Sequence, residues 1–267
     1  MPFAISRDGT KIWYDISGKG EPLVLIGGSS LVHRQWDFVL PILQDHYQVI
    51  LYDQRGAGLS DRPLSGITVE HWVDDLKFIL DEIGVRKTHV FATSNGSLVA
   101  IRFAAKYPEI VGAIIHYGIY KFTDQYKKMS RVCAKIIDEF GVGNGGLGAY
   151  FLARMFGAPP LYEEWVANRF EENLSPDAWK AMHKALDVDL TEDLRRVRSP
   201  QLILIGARGP LGKETDYASG WKEVQRHCPD AKLSVIEGAE GTFLPITHPG
   251  EVAKEVIEFL KRHRIGA

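Results

Sequence analysis

The sequence has only two cysteines, Cys133 and Cys228, far apart and outside any C-x-x-C pattern. Two isolated thiols make no disulfide framework, so a reducing, cytoplasmic setting is expected. Neither sign of charge is in excess: 32 Lys and Arg stand against 34 Asp and Glu, a formal net charge of −2. Such a balance offers no field for a polyanion, and nucleic acid is not expected as a partner. No apolar run approaches the ~20 residues of a membrane helix. Residues Met1–Gly9 have neither the basic nor the apolar stretch of a secretory signal. No spacing of His, Cys and acidic residues suggests a metal site. Gly141–Gly146 matches G-x-G-x-x-G literally, but it follows no strand and reads as a hinge between helices. Neither a metal nor a cofactor is therefore expected.

What the sequence does have is a set of short runs apolar on both faces. Leu23–Ile26 stops at Gly27-Gly28, Val49–Tyr52 at Asp53, and Val90–Ala92 just before Ser94. Ile110–His116 and Leu202–Ile205 repeat the pattern, and Lys11–Ser17 reads as a hairpin arm with one wet face. Continuous apolar strands are what a parallel sheet covered by helices requires. Helical periodicity lies between them, over Val69–Ile83, Gly96–Lys106 and Glu251–His263. This predicts an α/β fold, a mostly parallel doubly wound sheet with right-handed crossovers. Residues 120–192 break the alternation and read as helices: Phe122–Phe140, Ala149–Phe156, Leu161–Asn173 and Ser175–Ala185. The expected organisation is a core of residues 1–119 and 193–267 with a helical lid of residues 120–192. Ligands bind in the crevice at the carboxyl ends of such strands.

The chemistry is expected at Phe91-Ala92-Thr93-Ser94-Asn95-Gly96-Ser97. A strand turns at once into a helix, with Ser94 at the bend. A bend that tight strains the serine backbone and requires small residues two before and two after, here Ala92 and Gly96. It also aims the first helical N–H groups, that of Asn95 foremost, at the space beside the hydroxyl.

With Leu23–Ser30, Tyr52-Asp53-Gln54-Arg55-Gly56-Ala57-Gly58-Leu59-Ser60, the Ser94 turn, Lys106-Tyr107-Pro108-Glu109 and a last helix opened by Pro249, the chain resembles the α/β-hydrolase superfamily along nearly its whole length. The resemblance implies the α/β-hydrolase fold with Ser94 as nucleophile. It also implies an oxyanion hole from the N–H groups of Asn95 and Ser29, since Gly27-Gly28 stands where the family has His-Gly. Two positions depart from the pattern. The acid expected after the strand Leu202–Ile205 is replaced by Gly209, and the histidine expected after the last strand by Thr242. Gly118 holds the alternative acid position, and Glu214, Asp216 and Glu240 are the nearest carboxylates to the vacated loops.

A serine without its base is a poor nucleophile. Loss of the histidine from such a triad costs about 10⁶ in kcat, about 8 kcal/mol. Candidate stand-ins are His33, after the third strand, and His116, near the end of the sixth, with His183 on a lid helix a more remote one. Gly28, Trp36, Tyr117 and Tyr120 are expected to line the pocket. Three readings follow: a hydrolase of small, largely apolar esters or lactones with a non-standard base; a lyase, decarboxylase, cyclase or isomerase that polarises a carbonyl without an acyl-enzyme; and a ligand-binding protein on an enzyme scaffold. The intact small residues of the turn favour catalysis. The oligomeric state is not readable from the sequence.

Overall fold

The structure, a computed structural model, describes residues 2–117, 124–142, 147–173, 175–208, 225–240 and 243–266. Its centre is an eight-stranded sheet: β1 (Phe3–Ile5), β2 (Lys11–Ser17), β3 (Glu21–Ile26), β4 (Tyr47–Tyr52), β5 (Thr88–Thr93), β6 (Val111–Tyr117), β7 (Gln201–Arg208) and β8 (Lys232–Glu240). They lie side by side in the order β1-β2-β4-β3-β5-β6-β7-β8. β1 and β2 run antiparallel, β2 joins β4 antiparallel, and every later pairing is parallel. Every residue of β5 is buried, as its uniform apolarity requires at the middle of a sheet covered on both sides.

Each face has its own core. On one, α2 (Val69–Glu82), α3 (Asn95–Lys106) and α8 (Thr191–Arg196) bring Trp72, Leu76, Val99, Phe103 and Leu194 against Val24, Val90 and Ile114. On the other, α1 (Leu40–Leu43) and α10 (Pro249–Lys261) bring Leu43, Val252 and Val256 against Leu23, Leu25, Phe91 and Ile115. Strand alternation sends successive side chains to opposite cores. α2 has an N-terminal cap, the Thr68 side chain accepting from the His71 N–H. It stops just before Gly84, whose φ of +74° suits the left-handed turn that ends helices.

Between β6 and β7 come α4 (Asp124–Phe140), α5 (Gly148–Met155), α6 (Glu163–Asn173) and α7 (Pro176–Ala185). They form a third core in which Ile137, Leu152, Val166, Phe170 and Trp179 meet Leu31, Phe243 and Ile246. Those last three residues belong to the loop after β3 and to the region of α9 (Leu244–Thr247). The Gly58 N–H donates to the Asn173 carbonyl, the Asn173 side chain donates to the Leu31 carbonyl, and Phe38 packs on Tyr162 and Trp165. The inserted helices therefore rest on the loops that leave β3 and β4, at the carboxyl end of the parallel strands. No helix among the described residues is long and apolar enough to cross a membrane.

Candidate functional site

Ser94 sits between β5 and α3 at φ +52° and ψ −131°. Only two non-glycine residues among those described have positive φ, Val32 and Ser94. Such a backbone costs about 1–3 kcal/mol and persists only where the surroundings dictate it. They do so here. The Ser94 N–H donates to the Tyr117 carbonyl at 3.1 Å, tying the turn to β6, and its carbonyl accepts from the Ser97 N–H. A Cβ on Gly96 would lie 2.5 Å from the Ile26 carbonyl oxygen, so only glycine lets α3 start this close to β3. A Cβ on Gly28 would lie 3.0 Å from the Ser94 Cβ and 3.4 Å from its Oγ. The loop after β3 thus passes directly beside the hydroxyl. Ser94 is only partly buried, unlike its neighbours, and Oγ has no hydrogen bond to another described residue.

The loop after β3 is fixed by two side-chain amides whose role sequence reading missed. Gln35 accepts from the Gly28 N–H at 3.2 Å and donates to Thr93 Oγ1 at 3.3 Å. Asn95 Oδ1 accepts from the Ser29 N–H at 2.7 Å, and Asn95 Nδ2 donates to Gln54 Oε1 at 2.8 Å. No sequence signal marks these pairings, because the partners are 7 to 66 residues apart.

None of the candidate bases hydrogen-bonds to Ser94 among the described residues. His33 Nδ1 lies 2.8 Å from Asp53 Oδ2, its backbone N–H donates to the same carboxylate, and its ring packs 4.4 Å from Trp13. Asp53 follows β4 and Trp13 belongs to β2, so both lie across β3 from Ser94. The buried Asp53 carboxylate also accepts from the Leu59 N–H at 2.9 Å. The arrangement fixes a loop: carboxylate, imidazole and two N–H groups satisfy one another. His116 is fully buried and in register with Ala92 on the α3 side of the sheet. Its Nε2 is 2.9 Å from Gln201 Oε1. Gln201 belongs to β7, so this contact lies across β6 from the strand that leads to Ser94. Burial pushes the His116 imidazole down to about 4, and His183 likewise, where the ring packs on Trp179.

The expected pocket residues divide. Gly28 adjoins Ser94. Tyr117 is buried, and its Oη accepts from the Leu244 N–H at 3.1 Å, anchoring the start of α9 beside the Ser94 turn. Trp36 is completely buried in the second core, 4.7 Å from Phe91. Tyr120, Gly118, Gly209, Glu214, Asp216 and Thr242 lie outside the described residues, as does the Glu240 side chain. Asp53 holds loop backbone through the N–H groups of His33 and Leu59, whereas Arg55 ties side chains together. The Arg55 guanidinium grips Asp75 through two nitrogens at 2.6 and 2.7 Å and reaches Asp8 at 2.6 Å. No group of three or more potential metal ligands occurs among the described residues.

With sheet order, inserted helices and the Ser94 turn in place, comparison with known proteins gives the family. The family model for the alpha/beta hydrolase fold matches residues 21–246. The chain belongs to the α/β-hydrolase family. Among its relatives is a cis-3-alkyl-4-alkyloxetan-2-one decarboxylase of Shewanella oneidensis, 31% identical over 133 residues. That match spans 46% of this α/β-hydrolase chain and 42% of the relative, less than half of its length. Solved structures of similar shape include a thermophilic esterase from Thermogutta terrifontis, with a TM-score of 0.82 at 23% identity, covering 98% of this chain and 99% of that one. The enol-lactonase of Burkholderia xenovorans also has a TM-score of 0.82, at 20% identity, covering 97% and 100%. Identities this low establish the shared fold.

Proposed function

We propose that this α/β-hydrolase acts on a small, largely apolar carbonyl compound, an ester or a lactone. Ser94 is the nucleophile at the elbow, and the N–H groups of Asn95 and Ser29 are the oxyanion donors. The site works with an incomplete triad, because glycine and threonine stand at 209 and 242. The inserted helices act as its lid. The observation that carries this reading is the strained Ser94 backbone, enforced by contacts through Gly96 and by Gly28 passing beside the hydroxyl. A serine that merely capped a helix would need no such strain. Residual catalysis from oxyanion donors and binding alone is about 10³–10⁴ over water in serine hydrolases that lack triad members. Turnover above that floor requires the Ser94 hydroxyl itself, so the turnover expected to depend on Ser94 is the part that exceeds it. The test is hydrolysis of p-nitrophenyl acetate and of a small lactone by the full chain and by Ser94→Ala. A clear loss in Ser94→Ala supports the reading. Equal turnover by both proteins contradicts it.

A second reading is favoured by one observation: no described imidazole hydrogen-bonds to Ser94. A site that polarises a carbonyl without an acyl-enzyme needs no such base. An oxetan-2-one is a four-membered lactone, so the name of the Shewanella relative is compatible with this chemistry. Product analysis separates the two. Hydrolysis of a β-lactone yields the hydroxy acid, whereas decarboxylation yields carbon dioxide and an alkene.

A further inference from the structure

The hydrolytic reading needs the Ser29 N–H to be free, yet that donor is engaged. Asn95 Oδ1 lies 2.7 Å from it. The orientation of the carboxamide is fixed by chemistry, because a backbone N–H can only donate and must face the oxygen. Asn95 Nδ2 therefore faces Gln54 Oε1, at 2.8 Å. That contact in turn leaves Gln54 Nε2 turned away, buried and without a hydrogen-bond partner among the described residues. Asn95 and Gln54 are 2% and 4% exposed, so no bulk water competes for these groups. Ser29 follows β3, Gln54 follows β4 and Asn95 follows β5, and β3 lies between the other two. The amide pair thus bridges the carboxyl end of β3, where a substrate oxygen has to arrive.

We propose that Asn95 is a positioning residue that latches the oxyanion hole by occupying its second donor. This inference rests on the hydrolytic reading of Ser94. With the latch closed, a carbonyl oxygen at Ser94 meets one backbone donor, the Asn95 N–H. A tetrahedral oxyanion held by two donors forms only after Oδ1 leaves Ser29. The latch penalises the tetrahedral state more than the bound carbonyl, so it suppresses acyl transfer while leaving substrate binding intact.

The test uses the full chain as wild type, Asn95→Ala, Gln54→Met and the double variant Ser94→Ala/Asn95→Ala. Three quantities are measured: kinetics on p-nitrophenyl acetate, affinity for phenylboronic acid, which adds the serine oxygen to form a tetrahedral anion, and the thermal midpoint. One oxyanion donor is worth about 10²–10³ in kcat. Asn95→Ala is therefore expected to raise kcat about 10- to 100-fold with little change in KM. It should tighten phenylboronic acid by a similar factor, and the gain should vanish in the double variant. A merely structural asparagine predicts the opposite, a lower thermal midpoint and unchanged or reduced kcat, and that result overturns the latch. If Asn95→Ala does not fold, Gln54→Met decides. It removes the acceptor that anchors Nδ2 and should raise kcat by a smaller factor, and no gain there also overturns the proposal. Ser94-dependent turnover that is indifferent to Asn95 sinks the latch alone. Absence of Ser94-dependent turnover and boronate binding in every variant sinks the hydrolytic reading with it.

Discussion

At the scale of single residues, two glycines and one strained serine set the geometry of the site. A methyl group at position 96 would fall 2.5 Å from a backbone oxygen that cannot move without shifting β3. Gly96→Ala should therefore destabilise by about 2 kcal/mol or more, the upper part of the overpacking range, measured by urea denaturation. Gly28→Ala presses instead on the Ser94 side chain. It should cost most of the Ser94-dependent turnover while leaving the urea midpoint nearly unchanged. His33 gives a third check. A general base contributes about 10²–10⁴-fold. Because His33 is held by Asp53 across β3 from Ser94, His33→Ala should change turnover by no more than about threefold while lowering stability by about 1–3 kcal/mol. The sequence offered His33 as a base on its place in the loop after β3. Its real partner, Asp53, is 20 residues away and follows another strand, a pairing that no local pattern encodes. The small residues around Ser94 were legible for the converse reason: the strain is local, and the residue types that relieve it are local too.

At the scale of elements, the clearest dependence is the ion pair under the loop after β4. Arg55 and Asp75 are both buried and doubly hydrogen-bonded, with Asp8 closing the other side of the guanidinium. Arg55→Met leaves the Asp75 charge buried and unpaired, which costs about 3–5 kcal/mol. Chemical denaturation should show that loss, and a double Arg55→Met/Asp75→Leu variant should recover part of it. The strands of the sheet centre were readable because burial on both faces leaves no polar positions. β8 was harder to read: Leu233 and Val235 are 39% and 44% exposed, so its apolar residues do not mark a core face. The inserted helices follow the expected spans to within two residues, their periodicity being set by the third core. The expected start at Leu161 becomes Glu163, in keeping with the way helix ends fray, and the expected start at Phe122 lies outside the described residues.

For the whole molecule, buried imidazoles make stability depend on pH. His116 and His183 are lowered to about 4 by burial, against about 6.5 when unfolded. Below pH 6.5 the unfolded chain binds protons that the folded chain does not, so folding stability falls as pH drops toward 4. Each group accounts for up to about 3 kcal/mol of that loss. Asp8, held below the usual carboxylate range by its hydrogen bond to Arg55, adds a loss of the same sign at still lower pH. Urea midpoints measured from pH 7 to 4 should fall steadily. His116→Asn should flatten the curve, and a flat wild-type profile would show that these rings titrate normally. The fold was the most legible layer, because sheet, crossovers and family motifs all follow from patterns within single segments. The amide bridge joining Gln54, Asn95 and Ser29 was not, since it exists only once β4, β3 and β5 lie side by side.

The proposed reactive group of this α/β-hydrolase is the hydroxyl at position 94. It is tested most directly by treating the native chain with a fluorophosphonate and mapping the adduct by peptide mass spectrometry. One phosphonyl group is expected, on the peptide containing Ser94, and none in Ser94→Ala. No adduct at that serine, or labelling that persists after its substitution, would contradict it.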